Sequence, residues 1–343
     1  MRHLLNTLFI MTEDAYLALE NDNVVVYQDK KVLGRVPLLT LSNIVYFGYK
    51  GASPALMGAC AAKSIGLCFL TPHGKLLARV SGESRGNVVL RRQQYRLADD
   101  ELASCHIARD FIAGKLHNSQ SILARGLRDH PLSVEKEKFQ QAIHDMGAAA
   151  RQVRKIEDKG ELRGVEGNAA HLYFSLLGQL ILHDKEHFSL LSRIKRPPKG
   201  RVNALLSFAY TLLAHDCASA LESVGLDAYV GFLHTDRAGR TSLALDLMEE
   251  LRSIYADRFV LTLINNRQVK ADDFVEREDN CFFLTDKGKK TFLQAWQDRK
   301  REEIRHPFLA EKIPWGLVPY VQSLLLAWFI RGDISEYPAF LWK

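Results

Sequence analysis

The strongest constraint on the fold is a change of period along the chain. Up to residue 82 the apolar residues come in short β-rich runs, LLNTLFIM, AYLALE, NVVVYQ and KVLGRVPL, split by turn-forming Asp, Asn and Gly. LSNIVYFG, LCFLTP and KLLARVSG continue the pattern, and SPALMGACAAKSI inserts one short helix behind its Ser-Pro start. From Asp99 onward helical spacing dominates, over 99–126, 133–156, 161–182, 201–222, 243–255, 287–304 and 312–331, with a short strand pair near 268–284. Strands first and helices later predict an α+β chain: a small sandwich-like β domain over 1–82, a basic linker over 83–97 and a larger helical domain over 98–343. At 343 residues the chain is long enough for both.

The formal net charge of +6 favours polyanionic partners, nucleic acid first among them. Five scattered cysteines, Cys60, Cys68, Cys105, Cys217 and Cys281, form no CxxC pair, which is the usage of a reducing compartment. The apolar run before Glu13 is too short for a signal peptide, and the stretches at 172–182 and 318–330 fall short of a membrane span. A cytoplasmic protein with no membrane partner is expected. There is no Walker A loop, GxGxxG, HExxH or GxSxG, which removes the common NTPases, dinucleotide enzymes, zinc proteases and serine hydrolases.

Three segments remain that could carry chemistry. In RGVEGNAAHLYFSLL, Glu166 lies at or near a helix start, where a carboxylate is favoured by the helix dipole; a solvated first-turn acid is the plainer alternative. In VGFLHTDRAGRTSLALDLMEELRSIY, His234 ends an apolar strand-like run. A helix then opens after Thr241 or Ser242, with Leu243, Leu247, Leu251 and Ile254 as its buried stripe. Asp246 is three residues from Glu249 and four from Glu250, so helix spacing makes neighbours of them without choosing between the two glutamates. Crowded carboxylates call for a cation, and carboxylates with one imidazole suit Mg²⁺ or Mn²⁺. Without a metal, His234 is a core histidine and the acids a solvated face. The third segment, SRIKRPPKGRVNALLSFAY, places Arg193, Lys195, Arg196, Lys199 and Arg201 in a stiff basic loop suited to phosphate contacts; Arg91, Arg92 and Arg96 in the linker offer more. His183 and His187 in HDKEH lack a third ligand nearby in sequence and are expected at an exposed helix end.

Taken together these segments resemble the CRISPR-associated spacer-acquisition integrases, the Cas-one family. The likeness is carried by EGxAAxxYF at 166–174, RPPxxxxNALLSFxY at 196–210 and GFLHxxxxxxxSLALDLMEE at 231–250. The ending RGDISEYPAFLWK at 331–343 resembles the type I-C branch. The resemblance implies a β domain, a helical catalytic domain and a homodimer. It implies Glu166, His234 and Glu249 as metal ligands, with Asp246 at a further acidic position of the site. The implied activity is transesterification that joins short foreign DNA fragments into the leader-repeat end of a CRISPR array, with a Cas-two dimer as partner. Lys199 and Gly200 depart from the family pattern, where an acid is frequent after RPP. Two other functions fit the sequence: a structure-specific DNA repair nuclease, which would share the same site, and a non-catalytic DNA-binding scaffold whose acids are surface decoration.

Overall fold

A computed structural model describes the protein at every residue except 1–5, 13, 64, 73–75, 81, 83–87, 195–197, 278–279 and 343. Two compact units divide it: Met1–Arg85 with Leu293–Glu302, and Gly86–Phe292 with Glu303–Lys343.

In the first unit the strands are β1 (Thr7–Ile10), β2 (Tyr16–Glu20), β3 (Asn23–Gln28), β4 (Lys31–Pro37) and β5 (Asn43–Phe47). Helix α1 (Pro54–Ala62) follows, then β6 (Gly66–Leu70) and β7 (Leu76–Val80). Strands β2-β3-β4 form an antiparallel meander. Its two-residue turns, Asn21-Asp22 and Asp29-Lys30, all take positive φ, the geometry that matches a hairpin's twist. The second sheet has the order β1-β5-β6-β7, and β5 pairs in parallel with both β1 and β6. Parallel neighbours need a crossover. Helix α1 supplies it between β5 and β6, with Pro54 at its first position and the Ser53 hydroxyl accepting from the Leu56 amide at 3.2 Å. One core joins both sheets and the helix: Leu17 and Val24 from the meander, Ile44, Tyr46 and Leu67 from the mixed sheet, Leu56 and Cys60 from α1.

The second unit contains α2 (Val88–Asp99), α3 (Glu101–Asp129), α4 (Lys136–Gln152), α5 (Lys159–Leu177), α6 (Arg201–Ser223), α7 (Ser242–Glu249) and α8 (Arg258–Asn265). A hairpin of β8 (Phe274–Arg277) and β9 (Cys281–Leu284) leads into α9 (Asp286–Arg301), which passes from the second unit into the first. A second hairpin, β10 (Glu303–Arg305) with β11 (Lys312–Pro314), precedes α10 (Val318–Arg331). Helix α3 is the spine. Ser104, Ala108, Phe111, Lys115, Asn118 and Ile122, spaced alternately four and three apart, form one buried stripe along it.

The chain is α+β as expected, and it departs from the sequence reading at several points. Within the expected linker, residues 88–97 are helix α2, and buried Gln94 donates to the carbonyls of Asp227 and Val230 at 2.8 Å each; 83–87 lie outside the described residues. Residues 293–302 group with the first unit rather than with the helical one. The expected helix 243–255 ends at Glu249 and resumes as a π-helical turn over Arg252–Asp257, a wider winding common beside functional sites. The most apolar long helix is α6, which by length and composition could cross a membrane; its apolar side chains are spent on the interior instead, with Leu205, Leu206, Leu213 and Cys217 at 1% exposure or less.

Candidate metal and DNA site

Helix α7 is buried on all sides rather than amphipathic, so its acids are core groups that need partners. Leu243, Leu247, Leu251 and Ile254 form the expected buried stripe, each at 0% exposure, and Asp246, Glu249 and Glu250 are buried beside it. The three acids point to three different sets of partners.

Asp246 faces back along the chain. Its Oδ2 accepts from the amides of Phe232 (2.6 Å) and Leu233 (2.9 Å), and its Oδ1 from the amide of His234 (3.0 Å). The same Oδ1 lies 2.5 Å from His234 Nδ1. Residues 232–234 are therefore not a strand: their amides bond to a carboxylate instead of a neighbouring chain. Close approach requires Gly231, since a Cβ there would lie 2.7 Å from Asp246 Oδ2. The carbonyl side is held as well, by Ser104 Oγ on Phe232 O (3.0 Å) and Arg163 Nη2 on Leu233 O (2.8 Å). Both oxygens of Asp246 are thus taken up, in a geometry that fixes the orientation of His234. With Nδ1 donating to the carboxylate, Nε2 carries the lone pair.

Glu249 faces α3 and α5. Gly114 of α3 lets α7 approach closely, because a Cβ there would lie 2.9 Å from Glu250 Cβ. The next residue, Lys115, places its ammonium in contact with Glu166 Oε1 and 2.7 Å from Glu249 Oε2. Arg252 Nη2 pairs with Glu249 Oε1 at 3.0 Å. Burial opposes the charge of Glu249, yet Arg252 and Lys115 outweigh it and hold the carboxyl at about 2. Glu249 Oε2 is buried and has no aligned hydrogen-bond donor. Glu166 sits at the eighth position of α5, beyond the reach of the helix dipole expected for it. Gly164 and Gly167, where an added Cβ would meet nothing within 4 Å, keep the helix surface beside it open.

Glu250 faces the opposite way, into a network outside this site. Tyr337 Oη (2.5 Å) and Gln322 Nε2 (3.0 Å) donate to its Oε1, and the Phe340 amide (2.7 Å) to its Oε2. Of the two glutamates that helix spacing left open, Glu249 shares the Lys115 ammonium with Glu166 and Glu250 does not. The structure brings Glu166 and Glu249 together through Lys115, and pairs His234 with Asp246. Among the described residues, no three His, Cys, Asp or Glu side chains converge into a metal-holding group. The donor chemistry nevertheless fits a hard divalent ion: two carboxylates share a single cation, one oxygen lacks an aligned donor, and an imidazole is fixed through its other nitrogen.

Lys115, Arg163 and Arg252 are the polar residues of this site that sequence reading missed. Behind them Tyr173 and Tyr210, the tyrosines of two of the recognised blocks, converge on Asp257, with Oη–Oδ distances of 3.0 and 2.5 Å. Burial pushes the Asp257 carboxyl up to about 6, against the pull of the tyrosines and of Arg193 and Arg252. The folded state therefore holds this proton more tightly than the unfolded chain, whose Asp titrates near 3.8. The stabilisation is complete below that value and is lost as pH rises through about 6. Unfolding free energy measured from pH 3.5 to 7 should show a decline from this group of up to about 3 kcal/mol, absent in Asp257→Asn. Parallel profiles for the two proteins would remove Asp257 as the cause.

The basic candidates divide by where their donors go. Arg193 is spent internally, on Ile194 O (2.7 Å), Asn203 Oδ1 (2.9 Å) and Ser207 Oγ (2.9 Å). Arg201 lies over the Phe282 ring at 4.2 Å, and Arg91 donates to Gly225 O at 3.2 Å. Arg92, Arg96 and Lys199 are exposed or half-buried, while Lys195 and Arg196 lie outside the described residues. For the pair Arg92→Ala/Arg96→Ala we expect DNA affinity to fall equally for all sequences, and the slope of log affinity against log salt to decrease by about one per lost phosphate contact. Arg193→Ala should lower thermal stability and leave the slope unchanged. A slope unaltered in the double variant would exclude α2 from the DNA surface. His183 and His187 lie in a turn rather than at a helix end, and His187 Nδ1 pairs with Asp184 at 2.6 Å.

Comparison with known proteins places the chain in a family. Residues 8–298 match the family model described as CRISPR associated protein Cas1, the Cas-one of the sequence resemblance. Over full length on both sides, the chain is 48% identical to CRISPR-associated endonuclease Cas1 2 of Rhodospirillum rubrum and 46% identical to CRISPR-associated endonuclease Cas1 1 of Chlorobaculum tepidum. The chain belongs to the Cas1 family. Its fold is shared with a casposase bound to integration product (TM-score 0.85, 20% identity, covering 98% of this chain and 94% of that one). It is shared also with a Cas1 protein of Thermotoga maritima (TM-score 0.80, 22% identity, 95% and 97% covered).

Proposed function

We propose that this protein is a metal-dependent DNA integrase and endonuclease of CRISPR adaptation. It acts in the cytoplasm as a homodimer and joins short foreign fragments to the leader-repeat end of an array. The observation that carries the reading is the placement of Glu166 and Glu249 about one shared cation, beside a His234 oriented by Asp246. Glu166, His234 and Glu249 would hold Mg²⁺ or Mn²⁺. When bound, the ion supplies Lewis acidity toward a phosphoryl oxygen.

In the reaction a fragment's 3′ hydroxyl oxygen attacks a backbone phosphorus, and the bond to the departing 3′ oxygen breaks. One phosphodiester is formed for one lost, and the proton of the attacking hydroxyl ends on the leaving oxygen or solvent. The chain's own part is to fix the reacting centre and to neutralise phosphate. Asp246 keeps the imidazole in one tautomer, and Arg163 ties its loop to the helix of Glu166. The open surface at Gly164 and Gly167 leaves room for a DNA strand beside Glu166, and Arg92, Arg96 and Lys199 would meet its backbone.

A Cas2 dimer is the proposed protein partner. The chain shares its fold with part of a Cas6-RT-Cas1–Cas2 complex (TM-score 0.81, 23% identity, 98% of this chain and 36% of that one). The test is a joining assay with Cas2, a labelled fragment bearing 3′ hydroxyls, and a leader-repeat plasmid. Joined products that require Mn²⁺ or Mg²⁺ are expected. Metal-dependent cleavage without joining would favour the repair nuclease, and neither activity would favour the DNA-binding scaffold.

A further inference from the structure

Lys115 is an unusual residue to find where it is. It occupies a core position of α3, 9% exposed, between Ala108 and Phe111 on one side and Ile122 on the other along the same stripe. Its ammonium touches both Glu166 and Glu249, the two carboxylates proposed above as metal ligands, from two different helices. Arg252 forms its direct ion pair with Glu249, through the opposite oxygen, and acts on Glu166 only from a distance.

We propose that Lys115 is the site's built-in counter-ion, a placeholder that occupies the space between Glu166 and Glu249 until a divalent ion displaces it. This rests on the metal-site reading above. A buried and a half-buried carboxylate that share one cation would repel without it, and the ammonium relieves that repulsion while holding α5 and α7 in register. A divalent ion bound by both carboxylates cannot coexist with an ammonium in the same space, because both need the same oxygens and the charges repel. The four-carbon stem of lysine can swing aside where a shorter or stiffer side chain could not. Metal uptake is therefore an exchange of one cation for another. Lys115 is a positioning residue in the metal-free protein and a competitor during loading.

The test is Mn²⁺ affinity of the full-length protein, read by electron paramagnetic resonance of free Mn²⁺, for wild type, Lys115→Met and Glu166→Ala. Lys115→Met should bind Mn²⁺ at least about tenfold more tightly than wild type. Without metal its melting temperature should lie below wild type, and saturating Mn²⁺ should raise it by more than it raises wild type. Lys115→Gln, which keeps the packing and loses the charge, should behave alike and covers the case in which the methionine variant does not fold. Equal or weaker binding by both Lys115 variants, with wild-type binding that still depends on Glu166, overturns the placeholder role while the metal site stands. Binding by none of the proteins, or binding indifferent to Glu166→Ala, overturns the metal site and this inference with it.

Discussion

Replacing Glu249 with alanine should abolish strand transfer, lowering its rate by about a thousandfold or more. Its oxygens are held between Lys115 and Arg252, and no other carboxylate on α7 can take its place: Asp246 is consumed by three amides and His234, and Glu250 by Tyr337, Gln322 and Phe340. The substitution also strands Arg252 without its ion-pair partner, and breaking a buried pair from one side costs about 3–5 kcal/mol at most sites. Glu249→Gln separates the two effects, since it keeps the shape and removes the negative charge. Joining rate and melting temperature should be measured on both variants. Glu249→Gln should be folded and inactive. An active Glu249→Gln would mean that the carboxylate is structural. Asp246→Asn should lose a smaller share, about 10–100-fold, since it disturbs only the orientation of His234.

Glu250→Ala should be the most destabilising single change at this end of α7, with unfolding free energy lower by roughly 3–6 kcal/mol. Its carboxyl is the acceptor for two side-chain donors and one main-chain amide, all buried. Each donor left unsatisfied costs about 1–3 kcal/mol. The same network holds the end of the chain. Asn118 of α3 donates to the carbonyls of Glu250 and Phe340 at 2.6 Å each and accepts from the Trp342 amide at 2.8 Å. His117 Nε2 lies 3.0 Å from Trp342 O, and the guanidiniums of Arg125 and Arg258 lie over the Trp342 ring at 5.6 and 4.7 Å. Removing residues 337–343 should therefore reproduce the effect of Glu250→Ala, whereas Tyr337→Phe, which deletes one of three donors, should cost about 1 kcal/mol. Denaturant unfolding of the three proteins tests this. A Glu250→Ala variant within about 1 kcal/mol of wild type would show that water replaces the lost acceptor.

Much of this architecture was legible in the pattern of apolar residues. The alternation through residue 82 and the helical spacing after it report burial directly, and burial is what builds the elements. The leucine stripe of α7 was legible for the same reason. Three kinds of feature were not. Parallel pairing of β5 with β1 and β6 depends on partners distant in sequence, which local alternation does not encode. The break after Glu249 is a change of winding within one apolar run, and periodicity averages over it. The partners of the acids come from other helices. Helix spacing put Asp246, Glu249 and Glu250 on neighbouring positions, yet each turns to a different set of donors. One signal did exist. Lys115 and Asn118 interrupt the stripe that Ala108, Phe111 and Ile122 otherwise make apolar, and a lysine at a core position implies a buried carboxylate to meet it. The basic loop at 192–201 carried the opposite lesson: composition counts charges without telling which guanidiniums are spent on the protein's own carbonyls and rings, as those of Arg193 and Arg201 are.

Whether Glu166, His234 and Glu249 form one metal centre is tested most directly by growing crystals in Mn²⁺ and computing an anomalous-difference map at the manganese absorption edge. A single strong peak in contact with the carboxylates of Glu166 and Glu249 and with His234 Nε2, with the Lys115 ammonium moved out from between them, is the predicted result. A map without a peak there, at a Mn²⁺ concentration that supports joining, and with Lys115 still bridging the two carboxylates, would contradict it.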